Sequence, residues 1–215
     1  MLKALVAVRA GSLRVKNKNI RPFAGKNLLI IKLEQLFRIS EIDEICVSSD
    51  SNEMLKIAQD LGATPMKREA KYANNECSIN DAWEYMAREM SCDHILYTNV
   101  TNPLVKDETY SNCIKKYFSL NSFESLNTVS NVKEFLWMDG KPLNYDADNQ
   151  PRSQDLPDVF HPNFAINILK RDAMIKNRSV IAKNFYPYEM GKIESIDIDD
   201  EEDFLIAELL YNRRK

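Results

Sequence analysis

Along the first half of the chain, short runs of β-forming apolar residues take turns with stretches in which apolar residues recur at helical spacing. Leu2 to Val8 is such a run, continuous rather than alternating, as a buried parallel strand requires. Behind it Leu28, Leu29, Lys32, Leu33, Leu36 and Phe37 follow the helical period. Glu44 to Ser48 then predicts a strand, Asn52 to Leu61 a helix closed by Gly62, Ser78 to Glu89 a helix, and His94 to Thr98 a strand. Asp107 to Leu120 predicts a further helix with Asp107 as its cap. This alternation restricts the chain to an α/β sheet with helices on both faces.

The rhythm breaks after Ser122. Phe135 to Tyr145 carries a central Asp139-Gly140 pair, a hairpin signal, and the polar, turn-rich residues 146–158 follow it. Residues 132–158 therefore read as an excursion from the sheet, and an ordinary surface hairpin and a partner-binding arm both fit the pattern. Phe164 to Leu169 resumes as strand, then a short helix, Ile193 to Ile198 as strand, and a last amphipathic helix over Glu201 to Tyr211 with Asp200 as its N-cap.

At 215 residues with 44% hydrophobic residues and a net charge of -3, the chain reads as one soluble domain spanning 1–215, with 132–158 as a protruding subdomain. Cys46, Cys77, Cys92 and Cys113 lack metal-binding spacing, and His94 and His161 are the only histidines, so neither a zinc site nor a disulfide framework is predicted. The absence of a cleavable leader or a membrane-length apolar run gives the expectation of a cytoplasmic protein.

Charge is segregated. Eight bases (Lys3, Arg9, Arg14, Lys16, Lys18, Arg21, Lys26 and Lys32) precede the first acid, Glu34, whereas Glu194 to Asp203 holds seven acids and no base. Two opposite poles on one small domain point to a site for a polyanion together with a cation. Val8 to Asn19 begins where a strand ends, the place at which open α/β sheets bind ligands. There Gly11 and Ser12 can bring backbone N–H groups to a phosphate, and Arg9 and Lys16 add charge-assisted hydrogen bonds. Neither a Walker loop nor G-x-G-x-x-G is present. A solvated basic loop and a nucleic-acid patch are the other readings; the acidic net charge and the lack of aromatics among the bases weigh against nucleic acid.

At the acidic pole, an extended Ser195 to Asp199 would turn Ile196 and Ile198 to one face and Asp197 and Asp199 to the other. Carboxylates so spaced lie ~6.5–7 Å apart at the backbone, within reach of one hard cation, for which Mg²⁺ is the expectation. Asp200 to Asp203 are explained by capping and by the helix dipole.

The sequence resembles the CMP-sialic acid synthetase (acylneuraminate cytidylyltransferase) family. The resemblance rests on RAGSLRVKNKNI at 9–20, VSSDS at 47–51, GATPMKRE at 62–69, TNPL at 101–104, SQDLPDVFHPNFAI at 153–166 and SIDIDDEEDF at 195–204, in the family's order along nearly the whole chain. It implies a Rossmann-like, mostly parallel sheet of nucleotidyltransferase type with a small protruding hairpin lobe for homodimerisation. It implies transfer of CMP from CTP to an anionic acceptor, a sialic-acid-like sugar acid, with release of pyrophosphate and without nucleic-acid or membrane partners. Arg9, Lys16, Asp197 and Asp199 fall on catalytic positions, the two aspartates on those that bind metal. Arg9, Ala10, Gly11, Ser12, Lys16, Asn17, Arg68 and Ser78 fall on nucleotide-binding positions, and Asn99, Thr101, Arg152, Gln154, His161 and Asn163 on the acceptor side.

Departures from the family's pattern gather on that acceptor side. Asn99, Val100, Asn102 and Val105 stand where the family commonly has Gln, Pro, Ser and Arg; Ser153 and His161 replace arginines; Phe164 replaces a glycine. An alternative is thus another nucleotide, such as GTP, or a phosphorylated or phosphonate acceptor, and a non-catalytic nucleotide-binding protein is a third reading.

Overall fold

A computed structural model describes residues 1–12 and 14–214. Its strands are β1 (Leu2–Ala7), β2 (Pro22–Phe23), β3 (Lys26–Asn27), β4 (Glu44–Ser49), β5 (Thr64–Lys67), β6 (His94–Thr98), β7 (Ser125–Asn131), β8 (Trp137–Met138), β9 (Lys141–Pro142), β10 (Phe160–Lys170) and β11 (Phe185–Glu189). Its helices are α1 (Leu28–Leu36), α2 (Asn52–Asp60), α3 (Ile79–Arg88), α4 (Asp107–Ser119), α5 (Arg171–Asn177) and α6 (Glu201–Asn212). Seven strands form one sheet in the order β11-β7-β10-β6-β1-β4-β5. β10 pairs antiparallel with both β6 and β7, and every other pairing in the sheet is parallel. The mostly parallel sheet is the one the resemblance implies.

Both faces of the sheet are covered. Leu2, Ala4 and Val6 of β1 join the apolar cluster built with α1, α2, α4 and α6, while Leu5 joins the cluster under α3 and α5. The split explains why the strand reads as a continuous apolar run. Helix limits follow local chemistry: Ser51 Oγ accepts from Met54 N at 3.3 Å to start α2, and Gly62 leaves it at φ 93°. Asp200 caps α6 in a capping box with Asp203, as its position predicts. At α4 the cap is Lys106 rather than Asp107, because the Asp107 carboxylate is drawn away to Arg38 (2.6 Å) and Gln35 (3.0 Å).

Four further segments differ from expectation. β5, β7 and β11 carry too little apolar periodicity to be read from sequence; β7 is stabilised by buried Ser125, Asn127 and Thr128, which hydrogen-bond to neighbouring strands and loops. The strand expected over Ile193 to Ile198 does not form. A turn closes there through Ser195 N to Gly191 O (3.1 Å), and Ile198 N then makes one backbone bond, to Thr101 O (2.9 Å), outside any ladder. Ile196 and Ile198 nevertheless pack inward on the α1–α6 side, so the apolar alternation is kept by burial without a sheet.

Residues 132–158 leave the sheet between β7 and β10, closed at the base by Val132 N to Val159 O (2.8 Å) and by Lys133 with Asp158 (2.6 Å). At the tip of the β8–β9 ribbon Asp139 and Gly140 both take positive φ, as the Asp-Gly signal requires. Among the described residues no helix is long and apolar enough to cross a membrane.

Candidate active site

The basic loop leaves the carboxyl end of β1 and is fixed on two sides. Val8 N donates to Ser48 O (3.0 Å), Ala10 N to the Asp50 carboxylate (2.9 Å), and Asn19 Nδ2 to Arg9 O (3.1 Å). Gly11 at φ 75° and Asn17 at φ 55° let the chain reverse twice, and Asn17 O accepts from both Ile20 N and Arg21 N. A cleft of about 330 Å³ lies over this loop, lined by Arg9, Ser12, Arg14, Lys18 and Asn19.

The acidic pole meets this loop. Arg14 Nη2 lies 2.8 Å from the Asp199 carboxylate, Lys18 Nζ donates to Ile198 O, and Arg21 Nη1 lies 2.7 Å from Glu201. Burial pulls the Lys18 ammonium below the usual lysine range, although Asp197 and Asp199 oppose the shift. Burial likewise pushes the Asp197 carboxyl above the usual carboxylate range, against Thr101; neighbouring Asp199 adds to the rise and Lys18 opposes it.

The expected nucleotide-binding residues are thus divided. Arg9 turns sideways, donating to Ala73 O (3.1 Å), and lines a second cleft of about 270 Å³ together with Arg68, Tyr72, Asn74, Cys77 and Ile79. Ser78 sits between two of these lining residues, and its hydroxyl caps α3 by accepting from Asn80 N (3.2 Å). Arg68 is buried, donating to Val8 O and more weakly to Ser48 O (3.4 Å), so that it supports the start of the loop from behind; its Nε has no partner. Lys16 stands exposed, without an ion pair among the described residues.

The acceptor-side residues are more scattered. Asn99 and Thr101 follow β6 at the loop's edge, and Thr101 lies against Asp197. Asn163 is buried, and its side-chain oxygen accepts from Thr128 Oγ1 (2.6 Å) and Ala165 N (3.2 Å), which gives it a sheet-building role. His161 is exposed on β10 opposite Ser130. Arg152 pairs with Asp155 at 2.7 Å beside the exposed Gln154, and no hydrogen bond or ion pair among the described residues joins either to the basic loop. Phe164 takes φ 55° in the bulge between Pro162 and Asn167 and stacks on Trp83 at 6.2 Å.

Sequence reasoning assigned no role to Arg14, Lys18 and Asp50, the groups that join loop to carboxylates and strand to loop. Arg14 and Lys18 lie in the same basic run as Lys16, where charge alone does not tell which bases turn inward.

The donors fit a hard divalent cation. Asp197 Oδ1 is buried without a hydrogen-bond partner, Asp199 is exposed beside it in sequence, and both offer only oxygen. No group of three or more His, Cys, Asp or Glu placed to hold a metal gathers among the described residues.

The chain is similar to known proteins along most of its length. The sequence profile described as cytidylyltransferase matches residues 3–186. Post-translational flagellin modification protein B of Campylobacter coli is 28% identical over 97% of this chain and 94% of its own. A pseudaminic acid cytidylyltransferase of Campylobacter jejuni is 24% identical over 96% and 94%. An N-acylneuraminate cytidylyltransferase of Streptococcus agalactiae is 24% identical over 94% of this chain, which spans about half (51%) of that relative. The fold is similar to that of a CMP:2-keto-3-deoxy-manno-octonic acid synthetase complexed with CTP, at TM-score 0.74 and 12% identity over 100% of this chain and 99% of that one.

Proposed function

Since the chain belongs to the cytidylyltransferase family, we propose that it transfers CMP from CTP to a sialic-acid-like sugar acid and releases pyrophosphate. The observation that carries this reading is the contact of Arg14 and Lys18 with the Asp197–Asp199 segment, which brings the basic loop against the acidic pole.

In such a transfer an acceptor oxygen attacks the α-phosphorus in line while the bond to pyrophosphate breaks. The protein's work is to hold the two groups in position and to set charge where charge develops. Arg9 and Lys16, with the backbone N–H groups around Gly11 and Ser12, receive the phosphates; Arg14 and Lys18 keep the carboxylate segment against them. Asp197 and Asp199 would hold Mg²⁺, which when bound polarises the α-phosphate. The cleft of about 270 Å³ lined by Arg9 and Tyr72 offers room for the base. Exposed Trp137, Met138 and Leu143 on the β8–β9 lobe fit a homodimer contact.

A second reading, transfer from another nucleotide, is favoured by one feature: Arg68, implied in base recognition, spends its guanidinium on Val8 and Ser48 carbonyls. Pyrophosphate release with each of CTP, GTP, ATP and UTP, against sugar acids and phosphorylated acceptors, tests both. Turnover confined to CTP and a sugar acid supports the first; turnover confined to GTP replaces it with the second.

A further inference from the structure

Lys32 sits on α1 among Leu29, Leu33 and Leu36 and is 1% exposed. An ammonium so buried costs several kcal/mol unless its hydrogen bonds are made good. Among the described residues no carboxylate forms an ion pair with it; Asp107, which favours its charge from a distance, is already engaged by Arg38 and Gln35. Burial accordingly pulls its pKa down to about 7. A methionine would fill this space without burying a charge, but it would leave Asn102 O, Gln35 Oε1 and Tyr110 Oη without this donor. What the lysine supplies is direction: Nζ donates to Tyr110 Oη (2.7 Å), Asn102 O (3.1 Å) and Gln35 Oε1 (3.2 Å).

These bonds converge on the loop between β6 and α4. Val100 and residues 102–105 are buried, so their carbonyls need protein partners. Thr101 O is taken by Ile198 N, Asn102 O by Lys32, Leu104 O by Arg214 and Val105 O by Gln35 Nε2 (2.7 Å). On the far side Asn102 Nδ2 donates to Ile196 O (3.2 Å). The two bonds from this loop to Ile196 and Ile198 bracket Asp197. Lys32 also orders a second branch: with Lys32 donating to Tyr110, the phenol proton falls to Thr98 Oγ1 (2.8 Å), whose own proton goes to Ala165 O (2.6 Å).

We propose that Lys32 is a positioning residue that fixes the 99–105 loop from beneath and thereby holds Asp197 in place for catalysis. The clamp survives loss of one proton. A neutral amine keeps two N–H donors for Asn102 O and Gln35 and accepts from Tyr110 instead. Of the titratable neighbours, Tyr110 and the Cys113 next to it are pushed up by burial and stay neutral, while Arg38 holds Asp107 below the usual carboxylate range.

The catalytic part rests on the proposed cytidylyl transfer, so the test reads two quantities on the full chain: amide exchange of Ile198 by NMR, and steady-state kinetics. In Lys32→Met we expect the Ile198 amide to exchange about tenfold faster, as loss of one buried hydrogen bond implies. Leu33 and Leu36 should stay protected, since relief of the buried charge offsets the acceptors left without a donor. We expect kcat to drop about tenfold with the KM for CTP nearly unchanged, a split that a merely structural lysine would not produce. Lys32→Gln, which can donate to Asn102 O alone, should fall between the two and serves if Lys32→Met does not fold. Ile198 exchange at the wild-type rate in whichever variant folds overturns the clamp, and faster exchange with unaltered kcat overturns its catalytic part. A wild-type protein silent with every nucleotide removes the transferase reading instead, and the exchange rates then decide the clamp alone.

Discussion

Arg14 and Asp199, 185 residues apart in the chain, meet at 2.8 Å across the mouth of the basic cleft. Both side chains are more than half exposed, so the pair adds at most ~1 kcal/mol to stability. Its consequence lies in placement: an exposed carboxylate of the acidic pole is held against the basic loop proposed to receive the phosphates.

Asp199→Ala is therefore expected to separate activity from folding. Pyrophosphate release should fall about a thousandfold or more, the scale of losing a principal electrostatic group. The unfolding free energy should change by less than ~1 kcal/mol, since only an exposed ion pair is lost. Coupled pyrophosphate assays and urea melts check the two halves, and substantial Mg²⁺-dependent turnover in the variant would sink the metal assignment.

Lys32 sets a pH dependence of stability whose sign can be worked out. Its folded pKa of about 7 lies below the ordinary lysine value of 10.5, so below pH 7 both folded and unfolded chains carry the proton and the full burial penalty applies. Between those two values the unfolded chain binds more protons, and stability rises with pH by at most ~1.4 kcal/mol per unit. Lys32→Met lacks this contribution. Its stability relative to wild type should be highest below pH 7 and fall toward pH 10.5, as urea midpoints at a series of pH values would read. A stability difference independent of pH would show that Lys32 does not titrate in this window.

Phe164 occupies a left-handed backbone position, which costs a residue with a Cβ ~1–2 kcal/mol and glycine nothing. Phe164→Ala loses the ring and its stacking on Trp83 but keeps the strain; Phe164→Gly loses the ring and the strain together. Glycine should thus be the milder replacement, by about 1 kcal/mol after its greater unfolded-state entropy is subtracted. Denaturation midpoints of the two variants decide it, with alanine the more stable being the contrary result.

His161 is exposed on β10 near the turn into that bulge, where the resembled family carries arginine. His161→Arg supplies a fixed charge and a planar fork that can grip a carboxylate with two bonds. We expect the KM for a sugar-acid acceptor to fall about tenfold, the worth of one good charge-assisted contact. No improvement with any sugar acid would remove His161 from the acceptor site.

The local structure around the candidate site was partly legible in the sequence. The apolar run of β1 and the N-cap at Asp200 each depend on neighbours in sequence, and the residues at those positions favour the conformations observed. The hairpin tip was readable for the same reason. By contrast β7 is held by buried serine, asparagine and threonine whose partners come from β10 and from the segment around Val180, and no periodicity announces them. Phe164 was visible as a departure from a family pattern, but only its φ explains why glycine suits that place. Asn163, matched to an acceptor motif, proves to spend its side chain on the sheet.

What the amino-acid order alone determined is the alternation of strands and helices and the gathering of unlike charges at opposite ends, because both are carried by side-chain type and spacing. Which bases face the carboxylates, why a lysine lies in the core, and how Asp197 is bracketed without a strand were decided in three dimensions. Each of these depends on hydrogen bonds between groups distant in the chain, whose worth is set by burial, and burial exists only once the helices have closed over the sheet.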